Sequence, residues 1–190
     1  MVEDLDKCIH LLRKNDIKLV VFDMDFTAVA QHSRGRLPRL ALNDYIRKAT
    51  PAFLALVPKL FQENFSLAIA THSDEAEYGG QIQPETHILG KELATQLIKK
   101  SFPPEISDAF FIVAYNPRVH PEDETEANRI KRYHMRTIRE KFKVQLNEIV
   151  FFDDTASVIS DCQDACGVIH SIKVDPDYGF QIEDVLRNFN

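Results

Sequence analysis

The stretch Lys18-Leu19-Val20-Val21-Phe22-Asp23-Met24-Asp25-Phe26-Thr27 decides the fold. Its first half is apolar without alternation, as in a strand covered on both faces, and it stops at two aspartates one residue apart. The run begins at Ile17, and four more resemble it: Leu67 to Ala70, Phe110 to Ala114, Ile149 to Phe152 and Val168 to Ile172. Helical patterns separate these runs. Leu5, Cys8, Ile9 and Leu12 form an i, i+3, i+4, i+7 stripe ahead of the first strand. Thr50-Pro51 predicts an N-cap and a first helical residue, opening a helix to about Asn64 that Pro58 should kink or split. Leu89, Leu93 and Leu97 mark a helix before Pro103-Pro104. A charged helix is predicted from Thr125 to Phe142, with Ala127, Ile130, His134, Thr137, Ile138 and Lys141 along one face. Asp154 or Thr155 caps another that Gly167 ends near Cys166, and Gln181 to Phe189 is the last.

Strands alternating with helices predict an α/β fold: a three-layer Rossmann-like sandwich around a central, mainly parallel five-stranded sheet. A chain of 190 residues is long enough to bury a core without disulfides and short enough for one domain, 1–190. The 44% hydrophobic and 27% charged fractions exclude a disordered or fibrous chain. With 23 basic and 29 acidic residues, the net charge of −6 argues against nucleic acid as a partner. No apolar run reaches membrane-spanning length, and the acidic start Met1-Val2-Glu3-Asp4 is unlike a secretory leader. Cys8, Cys162 and Cys166 are too few for a disulfide framework and lack zinc-type partners, so they read as packing residues. These features predict a cytoplasmic protein, with nuclear residence left open.

In open parallel sheets ligands bind beyond the carboxyl ends of the strands. Those ends read Asp23-Met24-Asp25-Phe26-Thr27, Thr71-His72-Ser73-Asp74 and Asp153-Asp154-Thr155. Asp23, Asp25, Asp153 and Asp154 thus leave two tips, and the Thr71 hydroxyl a third. Gathered carboxylates repel one another, and a hard dication relieves the repulsion while sharing its remaining positions with a phosphate. Mg²⁺ is the expected ion. A single Asp-x-Asp would fit a capped turn equally well; the second acidic tip favours the metal reading.

In their order, Asp23-x-Asp25-x-Thr27, Thr71, Lys131 and Asp153-Asp154 resemble the motifs of the haloacid dehalogenase (HAD) superfamily, closest to its magnesium-dependent phosphatases. Lys131-Arg132-Tyr133-His134 followed by Ile149-Val150-Phe151-Phe152-Asp153-Asp154 is similar to that branch's lysine-helix-strand segment. The resemblance covers residues 17–75 and 129 to about 175. It implies a phosphomonoesterase in which Asp23 attacks phosphorus and Asp25 protonates the leaving oxygen, then activates water. It implies that Asp23, the Asp25 carbonyl and Asp153 hold Mg²⁺, with Asp154 acting through water or directly. Thr71 and Lys131 would hold phosphoryl oxygens, and main-chain N–H groups from Met24 onward would complete the anion cradle. His72, beside Thr71, is a further candidate for substrate contact, and Thr27 orders the loop. Phe26 departs from the Tyr or Gly that relatives often carry. The implied substrate is a phosphorylated small molecule or phosphoprotein, of phosphotyrosine-type or phosphosugar character. A phosphotransferase, or a catalytically silent regulatory or scaffold protein of the same fold, is the alternative.

Residues 28–50 are too few for a helical cap domain, and a loop or small hairpin is expected there, leaving the site open. Arg34, Arg36, Arg39, Arg47 and Lys48 make it basic, which fits an anionic substrate or a solvated loop equally. His120 to Glu126 forms an acidic approach to the Lys131 helix. His32, His87 and His120 read as solvated loop histidines, and Gly90-Lys91 lacks the rest of a nucleotide loop.

Overall fold

The computed structural model describes residues 2–33, 37–72, 85–115 and 131–189. In chain order the elements are α1 (Val2–Lys14), β1 (Leu19–Phe22), β2 (Leu37–Pro38), α2 (Leu42–Ile46), α3 (Pro51–Gln62), β3 (Ser66–His72), β4 (His87–Ile88), α4 (Gly90–Ser101), α5 (Pro104–Ser107), β5 (Phe110–Tyr115), α6 (Arg132–Phe142), β6 (Ile149–Asp153), α7 (Ala156–Asp164), β7 (His170–Lys173) and α8 (Ile182–Asn188). The five apolar runs are the five strands of one parallel sheet, in the order β5-β3-β1-β6-β7. The chain builds outward from β1 through β3 to β5, then returns to lay β6 and β7 on the other side. The carboxyl end of β1 is therefore the topological switch point, where a crevice opens between diverging crossovers.

The period of a strand explains the layers. Val20 and Phe22 point into one core with Leu12, Phe53, Leu97 and Val185, from α1, α3, α4 and α8. Leu19 and Val21 point into the other, with Met135 and Ile138 of α6 and Ile159 and Cys162 of α7. Beneath the β1 tip, Phe22 packs on Phe53, Phe152 and Phe180 with ring centroids 5.1, 5.3 and 5.2 Å away. These contacts hold the strand tip against displacement.

Several sequence expectations are modified. The α3 helix continues through Pro58: Phe53, Leu56, Val57 and Leu60 bury its face against the core, and that packing outweighs one missing backbone hydrogen bond. Between 28 and 50 the expected loop or hairpin contains a two-residue strand, a 3-10 turn and α2; the partner of β2 is the distant β4, antiparallel, and not a neighbour within the insert. The described part of the charged helix is α6, whose buried residues are His134, Met135 and Ile138, whereas Lys141 is exposed over the Phe111 ring. Ala127 and Ile130, Arg34 and Arg36, Ser73 and Asp74, and the acidic stretch 120–126 lie outside the described residues. Among the described residues no helix is long and apolar enough to cross a membrane.

Candidate active site

A cleft of about 260 Å³ opens at the β1 tip, lined by Asp23, Met24, Asp25, Thr71, Lys131 and Asp153 among others. His72 and Asp154 line it too, so every sequence-predicted site residue faces one space. Three tips converge because β3 and β6 are the two neighbours of β1. The Asp23 N–H continues the ladder to the Phe152 carbonyl at 2.9 Å, holding the first aspartate in strand register. The chain then turns: Ala28 N–H reaches the Asp23 carbonyl (3.3 Å), Val29 N–H reaches that of Met24 (3.0 Å), and Phe26 adopts φ 57°. A bulky residue at positive φ is strained and survives only where the surroundings hold it.

Lys131 supplies the cation. It stands immediately before α6 in a left-handed conformation, φ 41°, and so turns inward instead of lying on the helix surface. Its ammonium donates to Asp23 Oδ1 and, at 2.5 Å, to the Ala70 carbonyl, with Asp153 Oδ2 at 3.7 Å. Burial pushes the Asp23 carboxyl up to about 8, against the opposing pull of Lys131. Burial likewise raises Asp153 and the half-buried Asp154, again opposed by Lys131. Burial alone would lower Lys131, but Asp23 and Asp153 outweigh it and hold the ammonium charged. His134, one turn into α6, joins its Nε2 to the Thr71 carbonyl at 2.7 Å, tying the lysine's helix to the β3 tip.

Asp25 is held differently. Its Oδ1 accepts the Tyr45 hydroxyl, and its Oδ2 accepts the Ser33 hydroxyl (2.6 Å) and the Ser33 N–H (2.9 Å). His32 Nδ1 lies 3.2 Å from the same oxygen. Hydroxyls both donate and accept, so these partners satisfy a carboxylate or a carboxylic acid by rotation. Tyr45, Ser33 and His32 are the residues sequence reasoning missed. His32, read as a solvated loop histidine, is half-exposed, and its ring also lines the cleft and packs edge-on against Phe26 at 5.4 Å. Gly90, the first residue of α4, forms part of the cleft wall.

Thr27 orders the loop through its main chain and not its hydroxyl. Its carbonyl accepts the Phe180 N–H at 2.9 Å, while its buried Oγ1 has no hydrogen-bond partner among the described residues. Gly179 makes that approach possible at φ 63°; a Cβ there would lie 2.8 Å from the Thr27 carbonyl.

Asp23 and Asp153 face the cleft from adjacent strands with carboxylate oxygens, donors that suit a hard cation in kind; His32 and His72 also line the cleft, and no cysteine does among the described residues. Among the described residues no group of three or more acidic, histidine or cysteine side chains gathers to metal-binding geometry. Asp25 explains part of that, because its carboxylate is engaged by Ser33, Tyr45 and His32. Two carboxylates with waters and substrate oxygen are an ordinary Mg²⁺ set, so the residues fit.

No family model and no curated protein matches the chain. An uncharacterized protein from Listeria monocytogenes serotype 4b has a similar solved structure, with a TM-score of 0.54 at 16% identity over 87% of this chain and 83% of that one. At that identity the likeness is one of fold: a Rossmann-like α/β sandwich.

Proposed function

We propose that the protein is a Mg²⁺-dependent phosphomonoesterase of the HAD type, working through a phosphorylated Asp23. One observation carries this reading: Asp23 leaves the switch-point strand beside a buried lysine, with Asp153 flanking it and Asp25 two residues on in the same cleft. A carboxylate nucleophile needs a nearby cation to tolerate a dianionic phosphoryl group, and Lys131 supplies it. The Asp23 carboxylate attacks phosphorus as the bond to the ester oxygen breaks, and Asp25 gives that oxygen a proton. Asp25 then takes a proton from water as water attacks phosphorus, releasing phosphate and restoring Asp23. Lys131, the Thr71 hydroxyl and the main chain from Met24 hold the phosphoryl oxygens, and His72 lies at their edge. When bound, Mg²⁺ would be held by Asp23, Asp153 and the Asp25 carbonyl, with Asp154 at its margin, and would neutralise phosphoryl charge. An open cleft at an insert without a cap domain admits phosphorylated small molecules or a phosphoprotein side chain.

The test is phosphate release from an aryl phosphate, with Mg²⁺ and with chelator, for wild type beside Asp23→Asn. Metal-dependent release that the variant loses is expected. Absence of release from the folded, Mg²⁺-supplied wild type across aryl and sugar phosphates would overturn the reading.

A further inference from the structure

We infer that Tyr45 and Ser33, carried by the segment between β1 and α3, are positioning residues that aim the Asp25 carboxyl at the leaving oxygen. This rests on the phosphomonoesterase reading above. An aspartate side chain has two torsions, and two buried partners on opposite oxygens fix both. The Tyr45 hydroxyl holds Oδ1 and Ser33 holds Oδ2 twice, through its hydroxyl and its N–H. Both residues are themselves anchored: Tyr45 is 1% exposed and Ser33 7%. The segment that carries Tyr45 is pinned to both ends of α4, by Arg39 to Glu92 (2.9 Å) and by Lys100 to Asn43 (3.0 Å).

The need for such a clamp follows from the charges. Asp25 stands two residues from Asp23, in the cleft that Lys131 and Asp153 also line, where a dication would be held. Unrestrained, a second carboxylate there is drawn toward the cation, where it cannot hand a proton to a leaving group on the other side of phosphorus. Tyr45 and Ser33 hold it away with uncharged donors, beside the His32 ring at the same Oδ2. The insert thus does for one side chain what a cap domain does for a whole cleft.

Leaving-group dependence isolates this role. With Mg²⁺ and the full chain, kcat and KM are measured on an activated aryl phosphate, whose phenolate departs without help, and on phenyl phosphate, whose leaving oxygen needs a proton. Asp25 also activates the water of the second step, which both esters share, so the comparison is made on kcat/KM, which reports the attack step alone: Tyr45→Phe is expected to lower it about 30-fold on phenyl phosphate and less than about 3-fold on the activated ester. Ser33→Ala should show the same selectivity, and Asp25→Asn a stronger form of it. Equal losses of kcat/KM on the two esters, or no loss, would overturn the clamp while leaving the phosphatase reading intact. If Tyr45→Phe loses its cooperative thermal transition, the selectivity of Ser33→Ala decides alone. A wild type inactive on both esters overturns the underlying reading, and the clamp with it.

Discussion

Asp23 and Asp25 are two residues apart on one loop, yet different parts of the molecule hold them. Asp23 belongs to the sheet. It is buried, paired with the ammonium of Lys131 and pushed by burial, and less by Asp153, toward its neutral form. Asp25 belongs to the insert, where the Tyr45 and Ser33 hydroxyls, the Ser33 N–H and the His32 ring share its two oxygens. The contrast teaches how the two halves respond to damage. Where charges compensate one another out of water, removing one strands the rest, at about 3–5 kcal/mol. Where neutral hydrogen bonds do the holding, each loss costs on the order of 1–2 kcal/mol.

The largest expected effect is on the sheet side. Asp23→Asn should reduce turnover at least about 1,000-fold while keeping a cooperative thermal transition, because the amide fills the same space but is no nucleophile. A variant retaining a large part of wild-type activity would break the distinction, since Asp25 would then be carrying the chemistry.

Lys131→Met comes next, and it tests charge compensation directly. Lys131 is 3% exposed and its ammonium lies against Asp23 and Asp153, so its loss should cost about 3–5 kcal/mol as well as all detectable turnover. The sign with pH follows from burial, which raises the carboxyls of Asp23 and Asp153 in the folded state. In the window between the unfolded carboxylate range and the folded value near 8, the folded chain binds more protons than the unfolded chain, so stability falls as pH rises. Without the lysine that slope should steepen. Thermal unfolding of both proteins between about pH 5 and pH 8 measures it, and parallel curves would show that the lysine compensates nothing.

Gly179→Ala probes the place where sheet loop and insert meet. At φ 63° a Cβ would lie 2.7 Å from Thr50 Cγ2 and 2.8 Å from the Thr27 carbonyl. Left-handed strain and the contact with backbone together should cost about 2–3 kcal/mol, read as a lowered denaturation midpoint at unchanged slope. Activity should fall further than that of an equally destabilised core variant, because the displaced Thr27 carries the loop between Asp25 and Ala28.

How much of this was legible in the sequence divides along the same line. The parallel strands were readable because strands covered on both faces show as unbroken apolar runs, and the acids at their tips stand out against that background. Thr71, Asp153 and Asp154 fall at the tips, so topology alone brings them to Asp23. Lys131 was identified by the residues around it; its left-handed turn into the core has no periodic signature. The insert was opaque. Ser33 and Tyr45 reach Asp25 from 8 and 20 residues away, across a turn, a two-residue strand and a short helix that no hydrophobic period marks. His32 carried no signal beyond being a histidine in a loop. Its position depends on Phe26 and Asp25, which are tertiary neighbours.

The smallest predicted effect asks whether the insert is held at its far end as well. Thr50 closes it: its N–H donates to the Ala28 carbonyl at 2.9 Å, and its hydroxyl caps α3 by accepting the Phe53 N–H at 3.2 Å. Thr50→Val keeps the shape and the main-chain bond but removes the cap, so it should cost about 1 kcal/mol in denaturant unfolding. If Asp25 is positioned by the insert as a unit, this variant should also show a faint version of the Tyr45→Phe selectivity, losing more on phenyl phosphate than on an activated ester. If the loss is equal on both, the clamp is local to Ser33 and Tyr45, and α3 serves only as the wall behind it.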